Sequence, residues 1–245
     1  MKVGLFIPCY VEQFYPKVAI ATLELLEKAG VEVAYPLKQT CCGQPMANSG
    51  YEEFGQGASD LFRENFAGYD YVVCPSGSCT LHAKEHILSG QNGEPKIYEL
   101  CEFLTDVLQI KELNSRFPYK VGLHASCHGL RGLGLARPSE LMVPDFNKPL
   151  QLLEMVQDID LVHLARKDEC CGFGGTFAVF EEAISVQMGK DRIQDHQEQG
   201  VAVITGADMS CLMHLEGLLR RDKSPIKVMH IAEILNGQEP ELKNQ

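Results

Sequence analysis

The chain has 245 residues, of which 45% are hydrophobic and 22% charged, and its formal net charge is −11. This acidity, without any long run of Lys or Arg, excludes a nucleic-acid-binding protein that depends on a basic face. No stretch of roughly 18 apolar residues offers a transmembrane helix. The start, MKVGLFIPCYVEQF, is interpreted as a β-strand rather than a signal peptide, so a soluble, cytoplasmic protein is expected.

The predicted elements follow the same order in each half of the chain, with strands alternating with helices. The predicted strands are 3–8, 31–35, 69–73 and 96–98, then 121–124, 159–163, 201–205 and 227–229. The predicted helices are 18–28, 52–66, 149–156, 177–188 and 191–199, with one more opening at the last motif cysteine of each half and a closing helix. This alternation predicts an α/β fold of two tandem pseudo-symmetric repeats, each a mainly parallel sheet flanked by helices.

Four sequence blocks recur in the same order, which indicates an internal duplication. KVGLFIPC at 2–9 matches KVGLHASC at 120–127 at five of eight positions. The other pairs are CCG at 41–43 and 170–172, CTLH at 79–82 and CLMH at 211–214, and KIYELCEFL at 96–104 and KVMHIAEIL at 227–235. The break in the pattern near 114–119 predicts two domains, 1–115 and 116–245.

The ten cysteines are the unusual feature of the composition. They are too few for a disulfide scaffold, and without a secretion signal the thiols are expected to stay reduced. The duplication sorts eight of them into two matched sets, each placed just after predicted strands, where α/β folds carry their sites. The predicted ligands are Cys9, Cys41, Cys42 and Cys79 in the first half and Cys127, Cys170, Cys171 and Cys211 in the second.

Four thiolates suit either an iron–sulfur cluster or a structural zinc ion. Neighbouring cysteines on an extended backbone project in different directions, which favours a cluster with several iron atoms over one tetrahedral ion. The expectation is two clusters, either [4Fe–4S] or of an unusual type, with zinc at one site as the alternative.

Cys101, Cys74 and Asp208 are considered separately from the eight predicted ligands. Cys101 aligns with an alanine and is interpreted as a packing residue. Cys74 aligns with a glycine and is either a fifth ligand or an inert residue at a strand end. Asp208, three residues before Cys211, either ligates the metal or caps the helix that begins there.

The histidines divide into those expected beside the ligands and those assigned to the fold. His82 and His214 lie one helical turn past a ligand cysteine, and His128 follows one directly. Each either hydrogen-bonds to cluster sulfur or is an ordinary helix-face histidine. The histidines assigned to the fold are His124, His163 and His230.

The duplicated order Cys, CCG, Cys resembles the cysteine-rich CCG-domain family, which includes a cysteine-rich subunit of heterodisulfide reductase and the iron–sulfur subunit of glycolate oxidase. The resemblance rests on CCGQPMANSG at 41–50, HASCHGLR at 124–131, ECCGFGGTFAVF at 169–180 and GADMSCLMH at 206–214. It implies that the motif cysteines ligate iron–sulfur clusters. One departure is that Ser76 and Asp208 stand where the family's terminal CxxC has its first cysteine, which favours four-thiol sites or an oxygen ligand from Asp208.

Within that family the likeness is to its lactate-utilisation group. It implies an iron–sulfur subunit of a system that oxidises L-lactate to pyruvate, with a larger ferredoxin-type iron–sulfur protein and a third small protein as partners. No flavin fingerprint, haem motif or Ser/His/Asp set is apparent, so the chain is not expected to act alone. Another 2-hydroxyacid or a heterodisulfide is the alternative substrate, and a zinc-stabilised scaffold is the alternative of another class.

Overall fold

A computed structural model describes residues 1–88 and 93–240. The chain divides into two compact units, Met1–Ile110 and Lys111–Gln245. This division falls a few residues before the boundary drawn from the repeat (1–115 and 116–245), which stays a prediction.

The first unit contains a four-stranded sheet in which all neighbouring strands are parallel. Its strands are β1 (Lys2–Leu5), β2 (Glu32–Ala34), β3 (Tyr71–Cys74) and β4 (Lys96–Glu99), in the order β2-β1-β3-β4. Its helices are α1 (Cys9–Phe14), α2 (Pro16–Lys28), α3 (Gln44–Asn48), α4 (Gln56–Phe66), α5 (Gly77–His86) and α6 (Leu100–Glu102). A 3₁₀ turn (Glu52–Gly55) precedes α4, and a π-helical turn (Phe103–Val107) extends α6.

The second unit repeats this topology. Its strands are β5 (Lys120–Leu123), β6 (Asp160–Leu161), β7 (Val203–Gly206) and β8 (Lys227–His230), in the order β6-β5-β7-β8. Its helices are α7 (Lys148–Leu153), α8 (Phe177–Phe180), α9 (Glu182–Glu198), α10 (Met209–Arg221) and α11 (Ile231–Leu235), with a π-helical turn at His128–Gly132. The predicted fold, two tandem repeats of a parallel α/β sheet, is confirmed.

The central strands of both sheets are buried, as parallel strands covered by helices on both faces must be. Val3 and Val72 are fully buried in the first unit, and Val121 and Ile204 in the second. Burial of these apolar strand residues stabilises the two sheets. The polar and thiol-bearing residues lie at the strand ends.

One helix prediction is wrong. Two helices were expected at 177–188 and 191–199, but the chain instead breaks at Glu181, and α9 continues through Gly189 without interruption. The reason is tertiary packing: a side chain at Gly189 would overlap Leu218 and His214 of α10. The glycine therefore permits close helix packing and does not end a helix.

Across residues 1–88 and 93–240, no helix is both long enough and apolar enough to cross a membrane.

Candidate metal centres

The first candidate centre lies at the carboxyl edge of the first sheet. Cys9 begins α1 after β1, and Cys41 and Cys42 lie between β2 and α3. Cys79 lies in the first turn of α5, which follows β3. Because parallel strands end at the same edge of a sheet, three separate connections bring the four thiols to one place.

The four thiols of this centre form a connected chain of contacts. The thiol of Cys41 is hydrogen-bonded to those of Cys9 and Cys42. The thiol of Cys42 is also hydrogen-bonded to that of Cys79. Gly43, which follows the neighbouring pair, adopts a left-handed backbone conformation (φ 90°). The preference for a cluster over a single tetrahedral ion stays a prediction.

The second candidate centre repeats the arrangement. Cys127 follows β5, Cys170 and Cys171 precede a left-handed turn at Gly172 (φ 84°), and Cys211 lies in the first turn of α10. The thiol of Cys170 is hydrogen-bonded to those of Cys127 and Cys171. The Cys171 thiol is also hydrogen-bonded to that of Cys211. All eight predicted ligands are thus gathered into two groups of four.

Hydrogen bonding between the thiols separates their pKa values. In the first centre, hydrogen bonds from Cys42 and Cys9 lower the pKa of Cys41 far below the usual thiol value. The same bonds, together with burial, raise the pKa values of Cys9 and Cys42. Deprotonating every thiol at such close range requires a positive charge among them. The donor chemistry of each centre therefore fits a metal ion or an iron–sulfur cluster.

Backbone N–H groups also point at sulfur in both centres. The amide of the glycine after each pair lies 3.4 Å from the Sγ of the first cysteine, Cys41 or Cys170. In the second centre, the N–H of Phe173 donates to Cys171 Sγ at 3.5 Å. Such bonds stabilise thiolates and raise the potential of a thiolate-bound redox centre.

In each unit, the residue three positions before the last ligand cysteine caps the helix that carries this cysteine. Ser76 Oγ accepts a hydrogen bond from the N–H of Cys79 at 3.4 Å, and Asp208 accepts one from the N–H of Ser210 at 3.2 Å. A cap is one of the two roles considered for Asp208, and a bond from it to metal stays a prediction. Cys74 is buried at the end of β3 with its Sγ 3.8 Å from the carbonyl oxygen of Ser76, and its part in ligation also stays a prediction.

The two matched histidines contact the backbone behind the CCG pairs. His82 is hydrogen-bonded to the backbone of Cys42, and burial lowers the pKa of the ring. His214 Nε2 lies 3.3 Å from the carbonyl oxygen of Ser185, whose hydroxyl donates to the carbonyl of Gly172 at 2.7 Å. Both histidines are therefore placed to orient a CCG turn, directly in the first unit and through Ser185 in the second.

The other histidines lie in different surroundings. His128 begins the π-helical turn after Cys127 and is partly exposed, and its predicted role beside the second centre stays a prediction. His230 caps α11, accepting from the N–H of Ala232 at 3.2 Å, as a residue serving the fold would. His163 is exposed.

His124 is the residue that sequence reasoning missed. It was assigned to the fold, but a ring nitrogen of His124 and the Sγ atoms of Cys171 and Cys211 all lie within 4.8 Å of one another. Its side chain is 2% exposed. The sequence does contain one indication that this position differs between the two halves, because the repeat aligns His124 with Phe6.

Two parallel α/β units, each gathering four thiols at its strand ends, define a duplicated cysteine-rich domain. The family model for this domain, described as "Cysteine-rich domain", matches residues 3–84 and 121–216. The chain is 43% identical to "Lactate utilization protein A" of Halalkalibacterium halodurans, with 98% of each chain covered. It is 40% identical to the Bacillus subtilis protein of the same name, covering 97% of this chain and all of that one. The chain therefore belongs to the cysteine-rich CCG-domain family, in the group that these proteins form.

A solved structure shares the fold. A hypothetical protein from Helicobacter pylori superposes with a TM-score of 0.61 at 14% sequence identity, covering 96% of this chain. The present chain spans about half the length of that protein, at 48%. The likeness supports the architecture alone.

Proposed function

We propose that the chain is an iron–sulfur electron-transfer subunit of a cytoplasmic oxidoreductase complex that oxidises L-lactate to pyruvate. The observation that carries the proposal is the pair of matched four-thiol groups, each connected by thiol–thiol hydrogen bonds at the carboxyl edge of a sheet. The near full-length similarity to proteins named for lactate utilization directs the proposal to lactate.

The proposed roles of the chain's own residues follow from their positions. The eight motif cysteines supply the thiolates that hold two clusters, either [4Fe–4S] or of an unusual type, and a bound cluster accepts and releases single electrons. The N–H groups aimed at Cys41 and Cys170 stabilise the thiolate form. His82 and His214 hold the two CCG turns in position from behind, as residues around a metal site commonly do.

The proposed partners are a larger ferredoxin-type iron–sulfur protein and a third small protein. Oxidation of lactate to pyruvate releases two electrons and two protons, so single-electron centres need further groups to complete the reaction. We therefore expect the chain to pass electrons within a complex and not to turn over lactate alone.

Zinc at one centre is the second candidate. The observation that favours it is the proximity of Cys171, Cys211 and His124, because cysteine thiolates together with an imidazole are a common zinc ligand set. In that case one unit would carry electrons and the other would be stabilised by its ion.

Anaerobic purification followed by iron, acid-labile sulfide and zinc analysis tests the proposal. We expect a brown protein with iron and sulfide in both units, bleached by dithionite. A colourless protein containing zinc alone would contradict electron transfer. Addition of L-lactate to the complex purified from the native host should reduce these centres. A faster response to glycolate would redirect the substrate assignment to another 2-hydroxyacid.

A further inference from the structure

Three aromatic side chains pack beside the first centre. The ring centroids of Phe6 and Phe62 are 4.8 Å apart, and those of Phe62 and Phe66 are 4.7 Å apart. All three rings belong to the same buried cluster as Cys42 and Cys79. The first centre therefore rests on an apolar wall.

Two histidines take the corresponding places in the second unit. His124 aligns with Phe6 in the repeated strand block. The glycine of that block faces the ring of Phe66 in the first unit and the ring of His196 in the second, so closely that a Cβ would overlap either ring. His124 and His196 are thus the structural equivalents of Phe6 and Phe66.

A buried arginine completes the second set. Arg192 stands one helical turn before His196, as Phe62 stands before Phe66. It is fully buried and pairs with the carboxylate of Asp195. The apolar wall of the first unit is therefore replaced by three buried polar side chains in the second, although the backbone framework is the same.

The imidazole of His124 lacks a partner. Among the residues that the structure describes, neither of its ring nitrogens is hydrogen-bonded. Burying a polar group without a partner is unfavourable, and such groups in proteins commonly mark an additional ligand or water. A neutral imidazole has one nitrogen with a lone pair, which can accept a hydrogen bond or bind a metal.

The unbonded ring faces the second centre. Its nitrogen and the sulfurs of Cys171 and Cys211 lie within 4.8 Å of one another. Metal–nitrogen and metal–sulfur bonds of about 2.0–2.3 Å would bring such donors roughly 3.5 Å apart. The three donors are therefore within a small side-chain adjustment of sharing one metal atom.

A water molecule is the other partner to consider. A cavity of about 20 Å³ lies beside His124 and is also lined by Ser126, Asn147 and Ala207. It has room for about one water, which could reach one ring nitrogen. Because the two nitrogens of an imidazole point in different directions, the other nitrogen still needs a partner.

We propose that one ring nitrogen of His124 ligates the metal of the second centre. The two centres then differ in kind, with thiolates alone in the first and thiolates plus one imidazole in the second. This inference rests on the proposed function insofar as the metal is iron, and it assigns the second centre an electronic character of its own.

Nitrogen hyperfine spectroscopy of the anaerobically reconstituted full chain tests the inference. Wild-type protein carrying ¹⁵N-labelled histidine should show a directly coupled histidine nitrogen on one of its two paramagnetic centres. His124→Phe, which recreates Phe6, should lose this coupling, and His124→Cys should lose it while keeping its iron and lowering the midpoint potential. The matched control His196→Phe recreates Phe66 and should retain the coupling, as should His128→Ala.

The wild-type spectrum alone is decisive even if a variant does not fold. Iron and sulfide in both units without a coupled histidine nitrogen would overturn the inference while leaving the proposed function intact. The same holds for a coupling that survives in His124→Phe, since another residue would then be its source. If the chain holds zinc and no iron, the proposed function fails, and zinc-edge X-ray absorption then decides whether an imidazole is bound. Absence of that imidazole, or of any bound metal, would also overturn the inference.

Discussion

The hydroxyl of Ser185 on α9 donates a hydrogen bond of 2.7 Å to the carbonyl of Gly172, the glycine of the second CCG turn. Ser185 is 1% exposed, and its own carbonyl oxygen lies 3.3 Å from His214 Nε2. One residue therefore links the turn that carries Cys170 and Cys171 to two helices. We expect this link to hold the second CCG turn in position.

Ser185→Ala should destabilise the second unit by about 1–3 kcal/mol, because the carbonyl of Gly172 loses its buried donor. Urea unfolding of the full chain measures the effect, and iron analysis should show weaker retention at the second centre. Ser49→Ala is the matched control, because Ser49 Oγ makes a bond of the same length to Pro45 in an exposed place. Equal losses in the two variants would show that the link is unimportant.

Gly172→Ala should be more damaging than Gly43→Ala, although both glycines follow a CCG pair with positive φ. A Cβ on Gly43 would have its nearest neighbour at 3.7 Å, whereas one on Gly172 would lie 2.7 Å from the carbonyl oxygen of Ser185. We expect a loss of about 1–2 kcal/mol from backbone strain at Gly43 and a clearly larger loss at Gly172. Urea midpoints together with iron content per unit test this order, and a reversed order would refute it.

Cys171→Ser should lower the iron content by about half if each unit holds its own centre, and Cys42→Ser should do the same for the first unit. Complete loss of iron in either variant would indicate one shared site. Cys101→Ala is the control: Cys101 is fully buried in the first unit, and its repeat partner is already Ala232. This variant should keep its iron and lose only about 1 kcal/mol of stability.

Asp208→Asn should keep the iron of the second centre if Asp208 acts only as the cap of α10, because asparagine caps helices as well as aspartate does. Asp208→Ala should lower stability by about 1 kcal/mol through loss of the cap. Iron analysis and a redox titration distinguish the roles. Selective loss of second-centre iron in Asp208→Asn would instead indicate an oxygen ligand.

The stability of the second unit should fall as the pH drops below about 6.5, the pKa of histidine in an unfolded chain. Burial, with nearby Arg192, lowers the pKa of His196 to about 2. The unfolded chain therefore binds a proton at His196 that the folded chain does not, and each pH unit below 6.5 removes about 1.4 kcal/mol through this residue alone. His124 and His230, whose pKa values burial lowers to about 4, add to the fall. His196→Phe should remove this contribution.

Urea unfolding at several pH values between 7.5 and 4.5 measures that slope. His163→Gln is the control, because His163 is exposed and its replacement should leave the slope unchanged. An identical pH dependence in wild type and His196→Phe would contradict the assignment.

Much of the architecture follows from the sequence alone. The recurrence of KVGL, CCG and a third cysteine block predicts two equivalent units, and apolar runs between helices predict parallel strands. Because parallel strands end at one edge of a sheet, these patterns also predict that Cys9, Cys42 and Cys79 meet in space. Topology alone brings residues so far apart in the chain together.

Tertiary packing decided the features that distinguish the two units. Two helices were expected at 177–188 and 191–199, whereas α9 runs unbroken past Gly189, where the absence of a side chain lets Leu218 of α10 pack closely. His124 was expected to serve the fold because Cys171 and Cys211, which lie near it in space, are far along the chain. A repeat reveals which positions correspond, but the partners of a buried side chain depend on which helix face covers it. Only the three-dimensional packing of α9 and α10 on the second sheet determines those partners, and with them the polar surroundings of the second centre.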